Sequence, residues 1–260
     1  PLTLKKCDIG YEIAPGVSKH IMLFMSARGV DLFDGNSPPV LISKDIGDYF
    51  DPNSSNYINL SVVGNFQAFI DERKMEYHLL IATGTSTSLN KELVYDITQK
   101  KWFEISRGTG KALNCGFALT DPYGNKFIYG GTTDGYLERL EYGTTFDGNS
   151  IVYTFKTGDV PLADSMAYWT ELHRLKLIAK SMSTSTANVT LNHYADGSDT
   201  ATTIDTTDQT DSHRYYQSKH SVSKQAVTHA IECTVTTTNE SCGFKPYLLT
   251  GQYSVMREDF

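Results

Sequence analysis

Leu79-Leu-Ile-Ala82, then a Gly/Ser/Thr loop, then Leu93-Val-Tyr-Asp96 and Trp102 is the stretch that decides how this sequence reads. An apolar run of strand length gives way to turn chemistry, and a second strand ends on an aromatic and an acidic residue. The same phrase stands upstream, where Ile21-Met-Leu-Phe-Met25 precedes Gly29-Val-Asp-Leu-Phe-Asp-Gly35. It stands again downstream, where Lys126-Phe-Ile-Tyr-Gly130 precedes Gly135-Tyr-Leu-Glu-Arg-Leu140. A spacing of roughly fifty residues suits a four-stranded β-propeller blade. Three blades do not close a ring, so the chain reads as a piece of something larger. Its start at Pro1 rather than Met points the same way, to a processed chain or an excised fragment.

Composition agrees with strands. The chain has 260 residues, 16 of them Tyr and 12 Phe, and is rich in Thr, Ser, Gly and Asp, a profile that favours strands and turns over helices. The formal net charge of −7 and the absence of any Lys/Arg-rich run leave no electrostatic footprint for a specific nucleic-acid site. No apolar run approaches the length of a membrane span. Cys7, Cys115, Cys233 and Cys242 have no CxxC spacing and read as buried thiols, with a Cys233–Cys242 bridge across a hairpin as the minority alternative.

Turn signals divide the chain further. Ala14-Pro-Gly16, Asp34-Gly-Asn36, Thr98 to Lys101, Asp121-Pro-Tyr-Gly124 and Thr132-Thr-Asp-Gly135 each separate two strands. Ser43 to Phe50 reads as a capped helical turn with Ser43 or Asp45 at its N-cap, and Leu60 to Val63 reads as a strand. The third unit extends to Ile151–Lys156. After Gly158 the rhythm changes to longer alternating strands, as in Leu172-His-Arg-Leu-Lys-Leu-Ile and Ile231-Glu-Cys-Thr-Val-Thr-Thr, each with one buried and one wet face. Asp196 to Asp211 has no apolar periodicity and reads as a mobile surface loop. The expected fold is all-β: a partial β-propeller of about three blades over 1–160, then an antiparallel β-sandwich over 161–260.

Residues 29–50, the hairpin Gly130-Gly-Thr-Thr-Asp-Gly-Tyr-Leu-Glu-Arg-Leu140 and the passage from Tyr142 to Thr157 resemble the β-propeller proteins of short-tailed bacteriophages that form the tail hub or nozzle. The closing strands near Tyr247-Leu-Leu-Thr-Gly-Gln-Tyr253 are similar to the β-rich C-terminal domain of those proteins. The resemblance implies a structural virion protein rather than an enzyme, made in the host cytoplasm and assembled in the phage tail. Its partners would be copies of itself in a symmetric ring, the adaptor and portal-proximal proteins and the tail fibres, with DNA passing through the conduit during ejection.

A search for chemistry yields no assembled site, so no catalytic, cofactor-binding or metal-ligating residue is assigned and no cofactor is expected. Asp31, Asp34, Asp45, Asp48, Asp51, Asp71, Asp134, Glu138 and Glu141 include pairs that glycoside hydrolysis would use, but most sit at turn positions. His20, His78, His173, His193, His213, His220 and His229 are scattered singly, without a Gly-x-Ser-x-Gly elbow. Gly108-Thr-Gly-Lys111 lacks the spacing of a phosphate loop. The alternative reading is a carbohydrate-binding or glycan-hydrolysing β-propeller protein. Convergence of Asp, Glu and aromatic residues on one mouth would favour it. A cellular kelch-like adaptor is weakened because only Gly130-Gly131 shows the double glycine.

Overall fold

A computed structural model describes residues 4–14, 17–107, 110–140, 142, 151–180, 188–208, 215–237 and 245–256. Among the described residues strands dominate, and the helical content is two short 3₁₀ segments. The chain divides into two units, Pro1–Tyr142 and Gly143–Phe260.

The first unit holds three antiparallel meanders. The first runs β1 (Lys5–Ala14), β2 (Val17–Ser26), β3 (Gly29–Phe33) and β4 (Val40–Leu41). The second runs β5 (Gln67–Asp71), β6 (Glu76–Ile81), β7 (Lys91–Asp96) and β8 (Lys101–Ile105). The third runs β9 (Leu113–Thr120), β10 (Lys126–Thr132) and β11 (Leu137–Arg139). Acidic residues close the turns: Asp71 Oδ1 accepts the N–H groups of Arg73 and Lys74, and Asp96 Oδ1 accepts that of Gln99. Ser43 stands at the N-cap of the 3₁₀ segment Lys44–Phe50, as expected, but its side chain makes no capping hydrogen bond there. Its Oγ instead accepts the Val30 N–H at 3.0 Å, a longer-range bond that fastens β3 to the following connection. Leu60–Asn65 is 3₁₀ rather than strand, because the Asn59 side chain accepts the Ser61 N–H and starts a turn there.

Alternation along the second sheet sends its side chains two ways. Phe69, His78, Val94 and Phe103 lie opposite one another on one face. Phe69 on that face packs against Gly116 of β9. On the other face Tyr95 meets Trp102 at 5.1 Å between ring centroids, and Trp102 Nε1 donates to the Ile42 carbonyl at 2.8 Å. The second sheet therefore stands between the first and the third. The opening strands β1, β5 and β9 are neighbours. Ile21, Leu23, Tyr77, Leu79, Ile81, Leu93 and Ile97 are buried in the resulting core.

Gly116 is required by this packing, since a Cβ there would come within 2.1 Å of the Phe69 ring. That ring is stacked on His78, with 4.4 Å between the ring centroids. Gly116→Ala is expected to destabilise the first unit by about 1–3 kcal/mol. Thermal unfolding checks this, and an unchanged midpoint would show that the sheets are not packed at this distance.

The second unit adds β12 (Ile151–Lys156), β13 (Val160–Pro161), β14 (Trp169–Lys180), β15 (Asn188–Ala195), β16 (Thr202–Asp208), β17 (Tyr215–Ala226), β18 (Thr228–Thr237) and β19 (Pro246–Met256). One sheet has the order β12-β18-β15-β16 with β13 also on β18, and the other the order β17-β14-β19. They enclose Leu172, Leu175, Leu177, Val189, Leu191, Ile231, Cys233 and Val235. Ile151–Lys156, read above as part of the third repeat, pairs with β18 and belongs here. Part of the segment read as a loop is also a strand: Thr202–Asp208 pairs with β15, and 209–211 lie outside the described residues. Its β-branched threonines suit a half-wet strand face, and Thr190 and Thr206 meet across it at 3.2 Å. Cys233 is a free, buried thiol, pushed up to about 12 by burial and the nearby Glu232. Cys242 lies outside the described residues.

Candidate functional site

The face of the second sheet that receives β9 carries charge where its strand pattern predicts apolar side chains. Glu76 and His78 come from β6 and Glu92 from β7, while Arg107 follows β8 in the connection to the third sheet. His78 Nδ1 lies 2.8 Å from Glu92 Oε1. Arg107 grips both oxygens of the same carboxylate, Nε at 2.6 Å from Oε2 and Nη2 at 2.9 Å from Oε1. The His78 side chain is 1% exposed, Glu92 5% and Arg107 7%. A forked guanidinium against a carboxylate is a strong form of the ion pair, and the imidazole occupies the remaining lone-pair direction.

Burial alone would neutralise these groups. For Glu92 it raises the pKa, but the bonds from His78 and Arg107 outweigh it and hold the carboxyl below its ordinary range. For His78 burial opposes the charge, yet Glu76 and Glu92 outweigh it and raise the pKa. Glu76 Oε2 stands 3.6 Å from His78 Nε2. Among the described residues, His78 Nε2 and the Oδ2 of buried Asp71, near the same edge of this face, have no hydrogen-bond partner.

The Glu92–Arg107 pair forms one wall of an open pocket of about 110 Å³. Leu80, Leu89 and Leu113 add apolar lining, and Lys91 and Glu104 add charge. Glu104 is ion-paired to Lys91 and accepts a 2.7 Å hydrogen bond from the Tyr49 hydroxyl, whose pKa is raised by burial and by that carboxylate. Glu92 and Glu104 both line the cavity in unlike surroundings, Glu92 buried and doubly bound and Glu104 35% exposed, and the register sends their side chains to opposite faces of the second sheet.

Most acidic residues singled out in the sequence lie elsewhere. Asp31 pairs with Arg28, Asp34 and Asp51 hold their own turns, and Asp45 faces Lys101 across 3.8 Å. Asp134 and Glu138 share Lys111, which also lies 5.5 Å from the exposed Tyr136 ring. Glu141, His213 and the Gly108-Thr109 part of the glycine loop fall outside the described residues. Glu92, Glu104 and Arg107 escaped sequence reading; the available signal was a Glu inside the apolar strand Lys91-Glu-Leu-Val-Tyr95. In the second unit, Ser218 Oγ, His220 and Asp205 connect at 2.6 and 2.8 Å, in the order of a nucleophile relay. Ser218 is buried at 7% exposure while Asp205 faces solvent, the reverse of what attack on a substrate needs. These bonds tie β16 of one sheet to β17 of the other.

No known family description matches the chain, and no curated protein does. Among solved structures, an exo-β-1,3-galactanase from Phanerochaete chrysosporium with galactose is similar at 10% identity and a TM-score of 0.27, over 90% of this chain and 68% of that one. An arabinoxylan arabinofuranohydrolase of glycoside hydrolase family 43 from Bacillus subtilis is similar at 10% identity and a TM-score of 0.21, over 92% of this chain and 76% of that one. Similarity of that size transfers neither substrate nor mechanism. The matches do correct one expectation: they are glycoside hydrolases and not phage tail hub proteins, so the reading as a non-enzymatic tail subunit is withdrawn. No helix among the described residues is long and apolar enough to cross a membrane.

Proposed function

We propose that this chain is a carbohydrate-active β-propeller protein, with three blades followed by an antiparallel β-sandwich, and that the Glu92–Glu104 pocket binds and hydrolyses a glycan. The observation that carries this is an open cavity lined by the apolar Leu80, Leu89 and Leu113 together with the charged Lys91, Glu92, Glu104 and Arg107. The meander order of each sheet and the adjacency of β1, β5 and β9 support the blade reading, since the first strands of successive blades line a propeller's axis.

At about 110 Å³ the pocket is smaller than the roughly 300–1,000 Å³ of clefts that enclose a whole ligand. It takes the edge of one sugar ring, the rest of the glycan lying outside. Leu80, Leu89 and Leu113 meet the apolar face of the ring, and Lys91 and Arg107 meet its hydroxyls. Glu104, reachable from solvent, contacts the glycosidic oxygen.

Glu104→Gln is expected to reduce hydrolysis about a hundredfold or more while the protein stays folded. A panel of aryl glycosides and polysaccharides, with a glycan array read in parallel, measures it. Wild-type protein that neither binds nor cleaves any glycan on the panel would sink the proposal.

A further inference from the structure

The lining of the pocket in the first unit is charged but balanced. Its described residues include two cations, Lys91 and Arg107, and two carboxylates, Glu92 and Glu104. Each cation is ion-paired to one of those carboxylates: Arg107 to Glu92 at 2.6 Å, and Lys91 to Glu104. Further bonds fix the carboxylates in place, since Glu92 Oε1 lies 2.8 Å from His78 Nδ1 and Glu104 Oε2 accepts the Tyr49 hydroxyl at 2.7 Å. Asn90 and Ser106 add a neutral amide and a hydroxyl, and the rest of the described lining is apolar.

This arrangement offers hydrogen bonds without net charge. A carboxylate oxygen accepts more than one hydrogen bond, so each pair can take a hydroxyl and stay intact. A ligand carboxylate has no such place. To reach Lys91 or Arg107 it must displace Glu104 or Glu92, and the displaced anion then stands beside it in a space of about 110 Å³. A ligand ammonium meets the converse problem, competing with Lys91 or Arg107 for a carboxylate already held. Charge left unpaired in a partly desolvated site is a means of rejecting the wrong ligand.

The two pairs differ in how far they are buried. The side chains of Arg107 and Glu92 are 7% and 5% exposed, whereas those of Lys91 and Glu104 are 31% and 35% exposed. Only the second pair can be broken without leaving a deeply buried ion alone.

We propose that this pocket selects an uncharged sugar ring over its uronic-acid and amino-sugar counterparts, and that the Lys91–Glu104 pair sets the selection. The inference rests on the glycan reading under Proposed function and narrows it to a substrate class.

The test measures binding by ligand-observed NMR at physiological salt. The probes are methyl glycosides, uronides and 2-amino-2-deoxyglycosides in the glucose, galactose and mannose series, in both anomers. The wild type is expected to bind a neutral glycoside about tenfold or more tighter than its charged counterparts. Glu104→Gln releases Lys91 and is expected to bring the uronide within about threefold of the neutral sugar or ahead of it. Lys91→Gln releases Glu104 and is expected to do the same for the amino sugar alone. Opposite shifts in two variants do not arise from lost structure. Asp45→Asn makes the same charge change as Glu104→Gln outside the lining and is expected to leave the wild-type order. Wild-type binding led by a charged sugar, an order unchanged in both pocket variants, or a shift in Asp45→Asn equal to that in Glu104→Gln would each overturn this inference and leave the glycan reading standing. A wild type that binds no sugar of any series overturns both.

Discussion

Arg107→Ala is expected to destabilise the first unit by about 3–5 kcal/mol, the cost of leaving a buried charge without its partner. Arg107 supplies two of the three hydrogen bonds that keep Glu92 ionised at 5% exposure. Without it the carboxylate must take up a proton or admit water into the junction between the second and third sheets. His78 alone does not compensate, since its charge depends on Glu92 in turn. Urea unfolding followed by Trp102 fluorescence in a Trp169→Phe background reads this unit. Replacing both partners, as Glu92→Leu with Arg107→Met, is expected to recover part of the loss, because no unpaired ion remains. A cost below about 1 kcal/mol for Arg107→Ala would place the pair in solvent, where such contacts contribute little.

Acid is expected to destabilise the second unit from about pH 6.5 downward, through His193 and His229. The Ala226 carbonyl can only accept, so Thr170 Oγ1 donates to it at 3.0 Å. His229 Nε2 then donates to Thr170 at 2.9 Å, and His193 Nε2 donates to His229 Nδ1 at 2.8 Å. This chain of bonds is complete with both rings neutral, and a further proton on His229 Nδ1 would set two donors against each other. Burial, the neighbouring His229 and Lys224 lower His193 to about 4 despite Asp196. Burial lowers His229 as well, against its bond to Thr170 and the charge of Asp196.

An unfolded histidine takes up its proton near 6.5, so between that value and about 4 the unfolded state binds more protons. Stability is full above pH 6.5 and falls by roughly 3 kcal/mol as the pH drops toward 4. Trp169 fluorescence in a Trp102→Phe background follows it, and the slope should shrink in His193→Leu. His78 in the first unit has the opposite sign. Its raised pKa contributes stability that is full below about 6.5 and is lost as pH rises through the folded value. The same pH slope in both units would show that these histidines do not govern it.

Local chemistry was legible where a single strand or turn contains it. Gly29-Val-Asp-Leu-Phe33 and Leu93-Val-Tyr-Asp96 fold as strands because their apolar residues and flanking turns agree. Thr202–Asp208 was misread because a strand with a wet face and a threonine-rich sequence has little apolar alternation to detect. Leu60–Asn65 was misread because four apolar or small residues satisfy a strand and a 3₁₀ turn equally, and the Asn59 side chain decided between them.

By itself the sequence determined an all-β protein in which short meanders give way to longer strands, since alternation and turn residues act over a few positions. The tertiary structure alone decided which charges meet. Glu92 and Arg107 are 15 residues apart, His193 and His229 are 36, and Tyr49 and Glu104 are 55. No period in the sequence records such separations, because they depend on how finished sheets stack. A buried charge survives only where that stacking brings its partner within hydrogen-bond reach. The pocket beside Glu92 and Arg107, which Leu113 of the third sheet also lines, is a product of that stacking.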